Sequence, residues 1–175
     1  DRDLTIDDLR DLGADAIVFS TGAQGTKTIG VEGEGATGVF HAKDVVYHFN
    51  QLPGYSERPF DVGQRACVIG IGDVMIDIAH WLIRYKKVQE VTAIVRRGPA
   101  ERKYSPKETH SVCANIDKDG LSSEFARIRE RLEAVGQTPD QILTDMIGEF
   151  KKPDPPVSGT MIKFRFLSSP RRVLV

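Results

Sequence analysis

Apolar residues along the chain fall into short runs broken by glycine, proline and charge, and two of these runs flank a segment of helical period. Arg65–Ile69 reads as a strand and Val91–Val95 as a second, buried one. Between them Val74, Ile78, Trp81, Leu82 and Tyr85 recur at helical spacing, which predicts a helix from about Val74 to Tyr85. Lys86 and Lys87 then suit the negative end of its dipole. Strand, helix and strand make a βαβ unit of about thirty residues, the size expected for one.

The remaining elements follow from the same pattern. Thr5 caps a short helix that Gly13 closes. Ala16–Ser20 reads as a short buried strand, stopped at Thr21-Gly22. Val39–Asn50 is a strand end followed by a short helix, and Leu52–Val62, with Pro53, Gly54 and Pro59, is a linker. Glu101–Asp119 is polar and irregular, broken by Pro106. Ser122 or Ser123 caps a helix to about Val135, with Gly136 after its end. Thr138-Pro139-Asp140-Gln141 opens another that runs to about Phe150. Thr160–Leu167 alternates, with Ile162, Phe164 and Phe166 on one face and Lys163 and Arg165 on the other. Ser168-Ser169-Pro170 turns the chain, and Arg171–Val175 begins another strand. The order of elements predicts the α/β class: a Rossmann-like βαβ dinucleotide-binding domain with a small parallel sheet.

Composition narrows the function. The 175 residues carry a formal net charge of −1, so no global basic field points to nucleic acid. Cys67 and Cys113 lie far apart and form no CxxC pair, which disfavours a disulfide framework, a zinc site and a redox dithiol. Cys67, inside an apolar strand, reads as a buried, inert thiol. No apolar run is long enough to span a membrane and no signal peptide is visible, so the expected setting is cytoplasmic and reducing. The chain starts at Asp1 without a methionine and stops at Val175 inside an apparent strand, the pattern expected of an excised piece of something longer.

The chemistry centres on the turn between the first strand and the helix. Gly70 permits a sharp turn, and Gly72 removes the side chain that would block an approaching pyrophosphate. The helix N-terminus then points at the anion. Met75 stands where glycine or alanine is usual and pushes the helix slightly off the strand. Asp73 is repulsive to phosphate in isolation and either binds a ribose hydroxyl or caps the helix. The run Gly30-Val31-Glu32-Gly33-Glu34-Gly35 imitates a phosphate loop, but no strand enters it and its glutamates repel phosphate, so it reads as a loop. At the end of the second strand, where an NAD-binding fold bears an acid, stand Arg96 and Arg97. Their guanidinium forks fit a 2′-phosphate, which favours NADP(H) over NAD(H). His41, His48, His80 and His110 show no pairing that suggests catalysis, and no residue reads as catalytic or as a metal ligand.

Val68-Ile69-Gly70-Ile71-Gly72-Asp73-Val74, Val95-Arg96-Arg97-Gly98-Pro99 and Tyr104-Ser105-Pro106-Lys107-Glu108 together resemble adrenodoxin-reductase-type ferredoxin–NADP reductases, and more loosely the small subunit of bacterial glutamate synthase. Ala16–Ala23, Val39-Phe40 with Asn50-Gln51-Leu52-Pro53, and Phe164–Pro170 resemble, in order, the segments that join the two domains of such a protein. The resemblance implies a FAD-dependent enzyme that moves electrons between NADPH and an iron–sulfur protein such as ferredoxin, or into a large-subunit partner. It implies an NADP domain inserted in the FAD domain. Residues 1–23 would then be a remnant of the FAD domain, 24–170 the NADP(H)-binding domain, and 171–175 the start of the return. It also implies that Gly70, Gly72, Asp73 and Val74 hold the pyrophosphate, that Arg96 and Arg97 hold the 2′-phosphate, and that Glu108 lies near the nicotinamide-side ribose. No FAD fingerprint precedes Ala16, so this piece should bind NADP(H) without turning over alone. A stand-alone nucleotide-binding or sensing module, and an interaction domain with a vestigial turn, are the alternatives. An inserted domain should also bring its two ends together beside an exposed apolar patch.

Overall fold

A computed structural model describes residues 4–20, 22 and 25–174. Three five-residue strands, β1 (Arg65–Ile69), β2 (Glu90–Ile94) and β3 (Met161–Arg165), lie parallel in the order β1-β2-β3. Ile69 pairs with Ile94 and Ile94 with Arg165, so the strands end level with one another. Parallel neighbours need crossovers, and two right-handed crossovers stepping in the same direction across a sheet pack on the same face. The burial pattern agrees. Val91, Ala93, Ile162 and Phe164 are buried on one face, while Arg65, Cys67, Ile69, Met161 and Arg165 are exposed on the other. On the exposed face Lys163 Nζ meets Glu90 Oε2 at 2.5 Å across the strands.

Helix α1 (Ile6–Asp11) starts at Thr5, whose hydroxyl accepts from Asp8 N while Asp8 Oδ2 accepts from Thr5 N at 2.8 Å. Helix α2 (Ala42–Phe49) starts at His41, whose Nδ1 accepts from Lys43 N, and no strand precedes it. Helix α3 (Asp73–Trp81) follows the glycine turn and widens at Leu82–Lys86 into a π-helical turn, which Lys87 ends with φ 50°. The buried side of this stretch is Met75, Ile76, Ile78, Ala79, Trp81, Leu82 and Ile83, whereas Val74 (51% exposed) and Tyr85 (70% exposed) face outward. Only Asp77 and His80 interrupt the apolar run 74–83, so its period cannot choose between adjacent stripes, and the wider turn rotates Tyr85 out. Trp81 packs against His48 and Phe60, which joins α2 to α3.

Helix α4 (Lys118–Glu133) begins earlier than its serines suggest. Asp117 caps it by accepting from Gly120 N at 2.8 Å, while the Ser122 and Ser123 hydroxyls donate to carbonyls one turn back. Helix α5 (Pro139–Glu149) has proline in its first turn, but Thr138 makes no side-chain cap bond. Leu121, Phe125 and Ile128 of α4 and Met146 of α5 join Ile162 and Phe166 in the core.

Two strands expected from the pattern do not form as such. Ala16–Ser20 is not a strand: Val18 is 85% exposed, and no described strand runs alongside to complete its hydrogen bonds. Thr21 and Ala23 of that segment lie outside the described residues. Arg171–Leu174 forms no strand either, only a bridge between Arg172 and Glu32, with Val173 N donating to Glu32 O at 2.8 Å; Val175 lies outside the described residues. Gly33, at φ 79°, brings its backbone so near Val173 that a Cβ there would meet the Val173 carbonyl oxygen at 2.5 Å. Residues 32–33 and 172–173 therefore run side by side. The chain's own first and last residues lie outside the described ones.

Cys67 is exposed rather than buried, because it projects from the uncovered face of the sheet, while Cys113 is buried and its thiol pushed up by burial. A thiol reagent at neutral pH is therefore expected to modify one cysteine of the folded chain quickly. A Cys67→Ser variant is expected to lose that fast phase; two fast thiols would contradict the burial of Cys113. Among the described residues no helix is long and apolar enough to cross a membrane, and no group of three or more His, Cys, Asp or Glu is placed to hold a metal.

Candidate nucleotide-binding groove

Parallel strands that end level leave an opening beyond their carboxyl ends, where α/β sheets bind ligands. In this chain the opening is a groove of about 700 Å³. Its floor is the glycine turn, Ile69-Gly70-Ile71-Gly72, beside Ile94 and Val95. Gly70 has φ 130°, a conformation that side chains other than glycine's rarely adopt, and its N–H donates to Ile94 O at 3.0 Å. Gly72 is the N-cap of α3 in extended backbone with no side-chain cap bond. A Cβ on either glycine would enter open space, so their bareness keeps the floor low.

Arg96 and Arg97 stand one and two residues past Val95 and line the same groove. Both are exposed, and neither side chain has a hydrogen-bond or ion-pair partner among the described residues. Two unneutralised guanidinium groups next to a glycine turn make an anion site. Arg97 is also fixed through its backbone, whose carbonyl accepts from Leu167 N at 3.3 Å.

Asp73, Val74 and Glu108 do not line the groove. The Asp73 carboxylate accepts from Ser105 N at 2.6 Å, a clasp that draws the loop after Gly98 onto the turn. Lys103 N adds a bond to Ile71 O at 3.0 Å, and Gly72 and Lys103 form a parallel bridge. Asp73→Ala is therefore expected to weaken dinucleotide affinity, whereas Asp73→Asn, which keeps an acceptor oxygen, is expected to hold most of it. Titration calorimetry on both variants checks this, and an Asn variant as weak as the Ala variant would rule out the clasp. Glu108 sits at the head of a short 3₁₀ turn, Glu108–Ser111, and is exposed.

Two walls were not visible in the sequence pattern. One is the glycine-rich loop, which contributes Thr28, Ile29 and Val31. It is not a phosphate loop: Glu34 accepts from Ile29 N at 2.7 Å and from Gly30 N at 2.8 Å, so the amides a phosphate would use are taken. Those bonds hold the Glu34 carboxyl below the usual carboxylate range. The other wall is Ser168-Ser169-Pro170, held in place from α4. There the Glu124 carboxylate accepts from Phe166 N at 2.6 Å and from Arg127 Nε at 2.8 Å, and Arg165 approaches it at 3.2 Å. Arg127 also donates to Phe166 O, and Arg131 to Leu167 O. Behind the groove, Arg102 pairs with Glu149 on α5, and the buried Tyr104 phenol, without a hydrogen-bond partner among the described residues, is pushed well above its usual range by burial.

No family model matches the chain. Among curated proteins it is similar to the NADPH-ferredoxin reductase FprA of Mycobacterium leprae, 28% identical over 89% of this chain and 39% of that protein. It is also similar to the mitochondrial NADPH:adrenodoxin oxidoreductase of Salvelinus fontinalis, 30% identical over 99% of this chain and 40% of that protein. Among solved structures it is similar to Mycobacterium tuberculosis FprA in complex with NADPH, 25% identical with a TM-score of 0.64, over 95% of this chain and 42% of that one. The chain thus spans about 40% of the length of the relatives it matches.

Proposed function

We propose that this chain, a relative of the NADPH-dependent ferredoxin and adrenodoxin reductases, is the NADP(H)-binding domain of an adrenodoxin-reductase-type flavin oxidoreductase. One observation carries the reading: Arg96 and Arg97, without ion-pair partners, share a groove with the bare Gly70–Gly72 turn at the carboxyl end of a parallel sheet. The diphosphate lies over Gly70 and Gly72 at the start of α3, where Asp73 and Val74 belong to the first helical turn. Arg96 and Arg97 take the adenosine 2′-phosphate as two charge-assisted forks. Glu108, outside the groove lining, serves the nicotinamide-side ribose.

NADPH, when bound, supplies a hydride, and the residues of this chain supply its grip and orientation. FAD belongs to the part of the relatives' length that this chain does not span, and the electrons go on to ferredoxin or a related iron–sulfur protein. The relatives favour this reductase reading over the glutamate synthase one. Residues 24–170 form the nucleotide domain, with 1–23 and 171–175 leading to and from the FAD domain. The adjacency of Glu32 and Arg172, and the exposure of Val18, Phe19 and Leu174, support an insertion of that kind. Two free cysteines fit a reducing compartment, which we take to be the cytoplasm.

Calorimetric titration of the chain with NADP⁺ and NAD⁺ tests the reading. NADP⁺ is expected to bind at least about ten-fold tighter. Equal, weak binding of the two would count against it, and no heat at millimolar ligand would favour a vestigial turn.

A further inference from the structure

Lys103 brings a third cation to the groove. It follows Arg102, whose guanidinium is committed to Glu149, and it lies on the loop that Asp73 clasps to the glycine turn. Its amide donates to Ile71 O at 3.0 Å and its backbone pairs with Gly72, so Lys103 is a direct neighbour of the turn across a strand-like bridge. It is exposed and lines the groove, and its ammonium has no ion-pair or hydrogen-bond partner among the described residues. Two acids lie near it, Asp73 at the start of α3 and Glu101, which lines the same groove, and the carboxylate of each accepts a backbone N–H. Asp73 accepts from Ser105 N, and Glu101 accepts from Gly98 N at 3.1 Å.

The three cations approach the groove from different elements. Arg96 and Arg97 extend from the end of β2, while Lys103 is bridged to Gly72 at the start of α3. A ligand with charge at two places would meet the arginines with one group and the lysine with the other. We propose that Lys103 is a specificity-neutral phosphate ligand: its ammonium neutralises the diphosphate at Gly72, and the arginine pair alone reads the 2′-phosphate. This rests on the dinucleotide reading above. A lysine suits the task, because an ammonium on a flexible stem meets a phosphate as a point charge without demanding a fork geometry.

Lys103→Ala, Lys103→Arg and the Arg96→Ala/Arg97→Ala pair are titrated with NADP⁺, NAD⁺ and 2′-AMP, the last carrying the 2′-phosphate without a diphosphate. Lys103→Ala is expected to lower affinity for NADP⁺ and NAD⁺ by the same factor, roughly ten-fold, with 2′-AMP affinity unchanged. Lys103→Arg is expected to restore most of the loss, and the loss is expected to shrink as salt rises. A Lys103→Ala variant that binds both dinucleotides as tightly as the unsubstituted chain overturns the assignment, as does one that loses 2′-AMP or changes the NADP⁺ to NAD⁺ ratio. If the unsubstituted chain binds neither dinucleotide, the groove reading itself fails, which these outcomes keep separate. The Lys103 side chain has no partner among the described residues, so thermal melts of its variants should overlay that of the unsubstituted chain and exclude misfolding as the cause.

Discussion

Replacing Arg96 and Arg97 together by alanine is expected to cost NADP⁺ somewhat over a hundred-fold in affinity and to leave NAD⁺ within about two-fold. Each charge-assisted hydrogen bond to an ion contributes about 1.5–3 kcal/mol, and two exposed side chains belong at the low end, so the pair is worth about 3 kcal/mol. The loss should fall on the 2′-phosphate alone, because the turn, the bridge to Lys103 and the helix start remain. Neither arginine side chain bonds to any of the described residues, so the fold should not register the change. Titrations with both dinucleotides and one thermal melt decide it. An equal loss for NADP⁺ and NAD⁺ would mean that the arginines serve the diphosphate, and an unchanged NADP⁺ affinity would remove them from the site.

Glu124→Ala is expected to be the most destabilising single substitution near the groove. Its carboxylate is 4% exposed and serves three groups at once: Arg127, Arg165 and the buried Phe166 N–H, 42 residues away. Removing the carboxylate leaves the buried Phe166 N–H without its acceptor, at a cost of about 1–3 kcal/mol, while Arg127 and Arg165, 31% and 53% exposed, can turn to water. For a chain of this length that corresponds to a fall in Tm of roughly 2–12 °C. Glu124→Gln retains an acceptor for Phe166 N and should fall between the two. The same loss should loosen Ser168–Pro170, so hydrogen exchange at the Phe166 and Leu167 amides should rise before that of β3. Melts of Glu124→Ala that coincide with the unsubstituted chain would mean that the carboxylate is dispensable.

The site and the fold were legible to different degrees. Gly70, Gly72, Arg96 and Arg97 could be found from sequence because each is fixed by a local rule: a turn that needs glycine, and the end of a strand of recognisable period. The strands β1, β2 and β3 announced themselves for the same reason. Lys103 and Ser168–Pro170 did not, since they reach the groove through contacts across the fold that no local pattern encodes. Glu124 was silent as well: within a helix of mixed charge, nothing marks the one carboxylate that turns inward. Cys67 and Ala16–Ser20 were misread by one assumption, that an apolar run implies burial. Burial needs a covering layer, and a run of apolar residues does not say whether one is present. The face of α3 was ambiguous because residues 74–83 are apolar almost all round.

The contact between residues 32–33 and 172–173 bears on motion. A body attached beyond both of these segments is attached at a single narrow neck, since Val173 is bonded to Glu32 and only a glycine at position 33 lets the two backbones lie so close. Two attachments set far apart would brace such a body against rotation, whereas two set side by side leave one axis soft. Swinging about that axis would leave the Gly70–Gly72 turn, the arginines and the clasp at Asp73 together on one side of the neck, while Thr28, Ile29 and Val31, which line the groove from the other side, would move relative to them. A pivot of about four residues would thus set how far the groove stands open, without altering the groups on its floor.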